Sequence, residues 1–215
     1  MFDYSLYLVT DRNLSRGRST VEVVTAAIRG GASCVQLREK NCSTREFISE
    51  AVALKRVLRE NNIPMIINDR VDVALTVGAD GIHLGQNDMP LKDARRLVGP
   101  SMIIGISAES LEDAVEAEEE GADYIGLSPV FSTATKKDTA KPLGLDGVRS
   151  IRKAVKIPLV AIGGIGLDNA VEVIKAGADG LAVVSAIVSA SCPETATRML
   201  SQAITMTHKG EILSD

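Results

Sequence analysis

Four stretches of the chain carry nearly the same seven residues: Gly31-Ala-Ser-Cys-Val-Gln-Leu37, Gly78-Ala-Asp-Gly-Ile-His-Leu84, Gly121-Ala-Asp-Tyr-Ile-Gly-Leu127 and Gly177-Ala-Asp-Gly-Leu-Ala-Val183. Each follows a helical pattern and opens a strand. The copies are spaced roughly forty to sixty residues apart, which leaves room for two strand-plus-helix units per interval. They are therefore expected on alternate strands of an eightfold alternation, and that arithmetic predicts an α/β fold of the closed (β/α)8 TIM-barrel class.

The intervening strands read as short, apolar, β-branched runs: Tyr4 to Thr10, Pro64 to Asn68, Met102 to Ile106 and Pro158 to Ile162. Parallel barrel strands are covered on both faces, which favours near-continuous apolar runs over strict alternation. Ser43 to Asn61, Leu111 to Glu120, Leu167 to Ala176 and Pro193 to Thr207 instead place apolar residues at helical spacing with charges opposite. These stretches are expected to form the outer ring. The strand openings Ile63-Pro64-Met65-Ile66 and Ile157-Pro158-Leu159-Val160 recur about half a chain apart, which suggests two related half-barrels.

With 215 residues, 45% of them hydrophobic, and no Pro/Ser-rich linker, the chain is expected to form one domain over 1–215, near the lower size limit of this barrel. Beyond Thr207 the sequence is polar and aperiodic, so residues 208–215 are expected to fray. Cys34, Cys42 and Cys192 form neither a C-x-x-C pair nor an even set, which points to reduced thiols and a cytoplasmic home. Cys34 reads as core and Cys42 as loop. Met1-Phe2-Asp3-Tyr4 begins no basic-then-apolar leader, and no run approaches the ~20 apolar residues of a membrane span. A net charge of −4, three Phe, three Tyr and no Trp argue against a nucleic-acid surface, which needs a basic face and stacking aromatics. An anionic ligand must therefore meet positive charge built locally. A homo-oligomer is compatible with all of this, and no subunit number is specified.

In a parallel barrel, charged side chains are tolerated mainly near the carboxyl mouth, where loops and ligands supply partners. Gln36, Arg38 and Lys40 sit at i, i+2 and i+4, on one side of an extended strand, while Val35 and Leu37 face the other way. The alternative is that Arg38 and Lys40 lie past the strand end and are merely solvated, but Gln36 still falls inside the apolar run. Two cations about 7 Å apart repel unless an anion lies between them, so a phosphate or diphosphate is the expected occupant. Glu39 either orients a cation or faces solvent.

The third strand ends in Asn68-Asp69 and the fourth runs into His83-Leu-Gly-Gln-Asn-Asp88. Asp69 and Asp88 are expected to be neighbours at the rim, where they could share a magnesium ion with diphosphate oxygens. Each alone reads as a helix cap; the pairing with the cationic strand favours the metal. His83 is as readily a satisfied interior residue as a ligand contact. No Ser-His-Asp or Cys-His set and no zinc spacing can be assembled, so the chemistry is expected to use no protein nucleophile.

The longest connection follows the sixth strand, from Ser128 towards Gly147, as expected of an ordering loop or lid. Within it Thr133, Thr135 and Lys136 offer two hydroxyls and a cation, either an anion clamp or an ordinary solvated loop. The seventh strand ends in Gly163-Gly164-Ile165 and the eighth in Val184-Ser185, the position at which this fold commonly holds a phosphate on backbone N–H groups. Two anion sites are thus expected, one beside Arg38, Lys40, Asp69 and Asp88, the other at Gly164 and Ser185.

The ordered set Gln36-Leu-Arg-Glu-Lys40, Asn68-Asp69, His83-Leu-Gly-Gln-Asn-Asp88, Gly105-Ile-Ser107, Thr133-Ala-Thr-Lys-Lys137, Gly163-Gly164-Ile165 and Val184-Ser185 resembles the thiamine-phosphate synthase family over essentially the whole chain. The resemblance implies an enzyme that joins hydroxymethylpyrimidine diphosphate to a thiazole phosphate or carboxythiazole phosphate, releasing pyrophosphate and forming thiamine phosphate. It implies that Gln36, Arg38, Lys40, Asn68, Ser107 and Lys136 hold the pyrimidine diphosphate, that Asp69 and Asp88 bind Mg2+, and that Thr133, Thr135, Gly164, Val184 and Ser185 hold the thiazole phosphate. Arg38, Lys40, Lys136 and Ser107 would carry the catalysis. The implied mechanism is dissociative: pyrophosphate departs first, and the thiazole nitrogen captures the resulting methylene cation. Such chemistry asks for leaving-group stabilisation and positioning rather than a nucleophile. Ser128 stands where the family usually has Gly, and Ser132 where it usually has Pro.

Three rivals share the barrel. A thiazole tautomerase-like isomerase typically lacks the full diphosphate-binding set, which is intact here. A non-catalytic phosphate-ligand sensor needs no metal pair. A sugar-phosphate isomerase or epimerase needs a rim base opposite Gly164, and only His83 qualifies.

Overall fold

The repeated heptad is a joint between helix and strand. In the computed structural model, which describes residues 2–133 and 140–210, the first glycine of every copy is left-handed: Gly31 has φ 101°, Gly78 62°, Gly121 91° and Gly177 112°. This conformation ends the preceding helix, and glycine adopts it at the least steric cost. The third residue of each copy accepts a hydrogen bond from the opening of the strand before it. Ser33 Oγ takes Leu6 N–H (3.0 Å), Asp80 takes Met65, Asp123 takes Ile104 and Asp179 takes Leu159, the last three at 2.8 Å. The repeat therefore pins each even strand to its odd neighbour at the amino end of the barrel. Without that partner the N–H would be an unpaired buried donor.

Eight parallel strands alternate with helices and close on themselves in chain order. The first half runs β1 (Leu6–Val9), α1 (Thr20–Gly30), β2 (Cys34–Leu37), α2 (Thr44–Glu60), β3 (Met65–Asn68), α3 (Val71–Val77), β4 (Gly81–Leu84) and α4 (Leu91–Val98). The second runs β5 (Ile103–Ala108), α5 (Leu111–Glu119), β6 (Tyr124–Leu127), α6 (Gly144–Ala154), β7 (Leu159–Ile162), α7 (Leu167–Lys175), β8 (Gly180–Val183), α8 (Ser185–Val188) and α9 (Pro193–His208). The register Tyr7↔Ala182 closes β1 on β8. Ser43 and Asn61 cap α2, and Glu120 and Ala176 end α5 and α7. Ser43 with Glu46 forms a full capping box, worth about 1 kcal/mol.

Several boundaries shift from expectation, β3 and β7 each opening one residue later. The first strand is shorter than Tyr4 to Thr10, and β5 runs two residues further, which carries Ser107 onto a strand. The final helix extends through His208, where fraying was expected; there Thr205 and Thr207 carbonyls accept the Lys209 cap. Residues 211–215 lie outside the described part.

Alternate strand residues separate into two cores. Leu6, Leu8, Val35, Leu37, Ile67 and Ile82 pack outward beneath the helices. Tyr4, Tyr7, Val9, Cys34, Ile66, Tyr124, Val160 and Ala182 fill the interior. Gln36 is therefore on the inner face and Val35 and Leu37 on the outer one, as the spacing predicts. All three tyrosines occupy the interior, with Tyr4 and Tyr124 rings 4.8 Å apart. Among the described residues no helix is long and apolar enough to cross a membrane.

Candidate active site

The carboxyl ends of the strands surround one pocket. Gln36, Arg38, Lys40, Asn68, Asp69, Asp88, Ser107, Thr133, Gly164, Val184 and Ser185 all line it. Thr135 and Lys136 lie outside the described residues.

Arg38 and Lys40 reach the pocket although both follow the last residue of β2. Arg38 N–H donates to Thr10 Oγ1 at 3.0 Å, which continues the β1–β2 alignment past the strands, and its guanidinium pairs with Asp11 at 3.2 Å. Lys40 Nζ pairs with Asp69. Each cation thus has a carboxylate partner, which corrects the expectation that only a bound anion relieves their repulsion. The Lys40 side chain is 49% exposed. Such a pair contributes at most about 1 kcal/mol, so it yields readily to a phosphate.

Neither Asp69 nor Asp88 is a helix N-cap; Arg70 and Pro90 hold those places, without side-chain caps. Asp69 has φ 61° and donates its N–H to His83 O at 2.9 Å. Asp88 Oδ2 accepts Gly85 N–H at 2.7 Å. Burial lifts the Asp88 carboxyl above its ordinary range, the Gly85 bond opposes that, and the facing Asp69 adds to it. Two hard carboxylates facing one another are a fit for a magnesium ion. Among the described residues no third histidine, cysteine or carboxylate joins them, so an ion held there would take its other ligands from outside this set. Beside them Asn68 Nδ2 is buried with no hydrogen-bond partner among the described residues, a donor directed at whatever fills the pocket.

On the opposite side, Gly163 and Gly164 have φ 100° and 64°. Their role extends past ligand approach. A Cβ on Gly164 would lie 2.7 Å from Ser132 O, and one on Gly163 2.7 Å from Pro129 Cβ, so the loop after β6 rests directly on this turn. Ser132 supplies that carbonyl. Val184 caps the short α8 and Ser185 begins it, with Ser185 facing the pocket.

Sequence reasoning did not bring out a polar line through the interior. Gln36 Nε2 donates to Tyr7 Oη (3.0 Å), Tyr7 Oη contacts Tyr124 Oη (3.0 Å), Tyr124 Oη contacts His83 Nδ1 (2.9 Å), and His83 Nε2 contacts Ser107 Oγ (2.9 Å). His83 is therefore both an interior residue and a pocket residue. Burial pushes the Tyr7 and Tyr124 phenols well above their ordinary range. The visible signal was glycine inside apolar strands: a Cβ on Gly105 would lie 2.0 Å from Tyr124 Cζ, and one on Gly126 2.7 Å from His83 Cε1.

Glu39, between the two cations, turns away from solvent with a side chain only 6% exposed. It faces Arg12 at 3.5 Å, and Arg12 also pairs with Glu50 of α2. Burial pushes the Glu39 carboxyl up, nearby Glu50 adds to this, and Arg12 opposes it. The folded state therefore holds this proton more tightly than the unfolded chain does. Its stabilising contribution is complete below the ordinary glutamate pKa of about 4.3 and is lost as pH rises through the higher folded value. Glu39→Gln is expected to flatten the decline of melting temperature across that window. Parallel wild-type and variant curves would show that Glu39 titrates normally.

A family model described as thiamine monophosphate synthase matches residues 6–187. The thiamine-phosphate synthase of Chloroflexus aurantiacus is 54% identical over 207 residues, covering 96% of this chain and 95% of that protein. That of Albidiferax ferrireducens is 55% identical over 199 residues, covering 93% and 91%. The solved thiamine phosphate pyrophosphorylase of Pyrococcus furiosus has a TM-score of 0.89 at 45% identity, covering 96% of this chain and 98% of that one. The 3-hexulose-6-phosphate synthase of Salmonella typhimurium, at 18% identity and a TM-score of 0.75, shares the fold alone. Matched over nearly all its length at about half identity to enzymes that make thiamine phosphate, the chain belongs to the thiamine monophosphate synthase family.

Proposed function

We propose that the enzyme condenses hydroxymethylpyrimidine diphosphate with a thiazole phosphate or its carboxylated form. The observation that carries this reading is the rim cluster: Arg38 on Asp11, Lys40 on Asp69, and Asp69 facing Asp88. In the reaction the bond between the pyrimidine methylene carbon and the diphosphate oxygen breaks, with both electrons going to oxygen. The thiazole nitrogen lone pair then forms the new C–N bond, so no protein group has to take or give a covalent bond. With the carboxylated thiazole, the ring C–carboxylate bond also breaks: its electron pair stays with the ring, a proton from solvent takes the carboxylate's place, and CO2 leaves.

Arg38, Lys40 and Lys136 neutralise the leaving diphosphate, Ser107 donates to it, and Gln36 and Asn68 hold the pyrimidine. Asn68 Nδ2, buried and without a hydrogen-bond partner among the described residues, suits a ring nitrogen or phosphate acceptor. Thr133, Thr135, Gly164, Val184 and Ser185 hold the thiazole phosphate. Magnesium on Asp69 and Asp88 would draw negative charge from the diphosphate oxygens. Val9, Val160, Ile162 and Ala182 line the same pocket and keep water from the methylene carbon. Three thiols, none in a disulfide, suit a cytoplasmic setting.

The test mixes purified protein, magnesium and both phosphorylated precursors. Equal yields of thiamine phosphate and pyrophosphate are expected. Binding of both precursors without product would replace this reading with that of a sensor.

A further inference from the structure

The interior line from Gln36 to Ser107 has a direction. We propose that Tyr7, Tyr124 and His83 are positioning residues that orient every hydrogen bond one way and so turn the Ser107 hydroxyl proton into the pocket, as a donor to the departing diphosphate. The identity of the acceptor rests on the reading under Proposed function; the direction of the line does not.

A row of hydroxyl and imidazole groups can point either way, and a partner at one end that only donates selects the direction. Here the end is Gln36, whose amide Nε2 donates to Tyr7 Oη. With its nitrogen toward Tyr7 the amide can only donate, and of the remaining partners of Tyr7 Oη the Tyr124 oxygen is a better acceptor than the Cys34 sulfur, so the Tyr7 proton goes on to Tyr124 and the Tyr124 proton to His83 Nδ1. Neutral imidazole with Nδ1 as acceptor carries its proton on Nε2, and that nitrogen faces Ser107 Oγ at 2.9 Å. Ser107 therefore accepts from His83 and has its own hydrogen left to give. The opposite direction would make His83 Nε2 a base for Ser107, the arrangement of an activated nucleophile.

The room for this line is built into the barrel. Gly105 and Gly126 face Tyr124 and His83 at distances that no Cβ could occupy, so β5 and β6 each give up a side chain to the two rings. Both phenols are buried and high in pKa, hence they remain neutral donors at working pH. Fixed donors aimed at developing charge stabilise it without having to reorganise, and a hydroxyl held by a buried line behind it meets that requirement.

Two measurements test the proposal. In the free protein, nitrogen NMR of 15N-histidine-labelled material is expected to show His83 protonated at Nε2 and bare at Nδ1. The opposite tautomer would overturn the proposal, and this result is independent of activity. In the condensation assay, Ser107→Ala is expected to lower kcat on the order of 10²-fold and Tyr124→Phe about tenfold. The double variant is expected to be no slower than Ser107→Ala alone. A further tenfold loss in the double variant would mean that Tyr124 acts independently of Ser107, as a merely structural residue would. If no variant or wild type makes thiamine phosphate, the proposed reaction falls, and the nitrogen spectrum alone still decides the direction of the line.

Discussion

Asp69→Asn is expected to lower kcat/KM by about 10²- to 10³-fold while leaving the barrel intact. Asparagine is the right replacement because Asp69 sits at φ 61°, a left-handed conformation that Asn and Asp tolerate and most other residues do not. Its N–H keeps the 2.9 Å bond to His83 O, and the amide oxygen can still meet Lys40. The variant lacks only the charge. With one carboxylate neutralised, Asp88 alone offers a weak hold for a divalent cation, and the leaving diphosphate loses part of its compensation. The melting temperature is expected to stay within roughly 4 °C of wild type, the shift that corresponds to about 1 kcal/mol in a domain of this size. Chelating the divalent metal is expected to slow the wild type steeply and the variant little further. A variant with near wild-type turnover would remove Asp69 from the proposed magnesium site. A variant that unfolds would make it structural.

The barrel was legible because its repeat unit is set by local physics. Gly31, Gly78, Gly121 and Gly177 end helices in a left-handed conformation that glycine adopts most readily, and the interval between them sets the strand count. The cationic strand was legible for a related reason: Gln36, Arg38 and Lys40 break an apolar run at a period of two, which places them on one face. Their partners were not. Asp11 is distant in sequence from Arg38, and its carboxylate meets the guanidinium only because β1 and β2 pair in the register Val9↔Gln36. Asp69 and Asp88 resemble helix caps in sequence; the turns that follow displace them by one or two residues from the caps, and that displacement frees both carboxylates for the pocket. The Tyr7–Tyr124–His83 line lay hidden because Tyr and His on a strand suit an apolar core as well as a polar one. Only the facing glycines betray it, and their meaning depends on which strands are neighbours.

That dependence is sharpest where the barrel closes. Gly180→Ala is expected to be among the most damaging single-methyl additions to the chain. A Cβ on Gly180 would lie 1.9 Å from Tyr4 O and 2.5 Å from Tyr4 C, and these are backbone atoms that cannot rotate aside. The methyl would push the chain entering β1 away from β8, where Leu181 N–H donates to Ser5 O at 3.1 Å and Leu6 aligns with Leu181. Overpacking of this kind costs up to about 3 kcal/mol or more, a large part of the 5–15 kcal/mol by which domains are typically stable. A fall in melting temperature of roughly 6–12 °C is expected, with incomplete folding at the upper end. Gly166→Ala is the matched control, because its added carbon would meet only Ala186 Cβ at 3.9 Å. If the two variants melt together, β1 and β8 have slack at their junction, and the steric tightness of closure is not what selects glycine there.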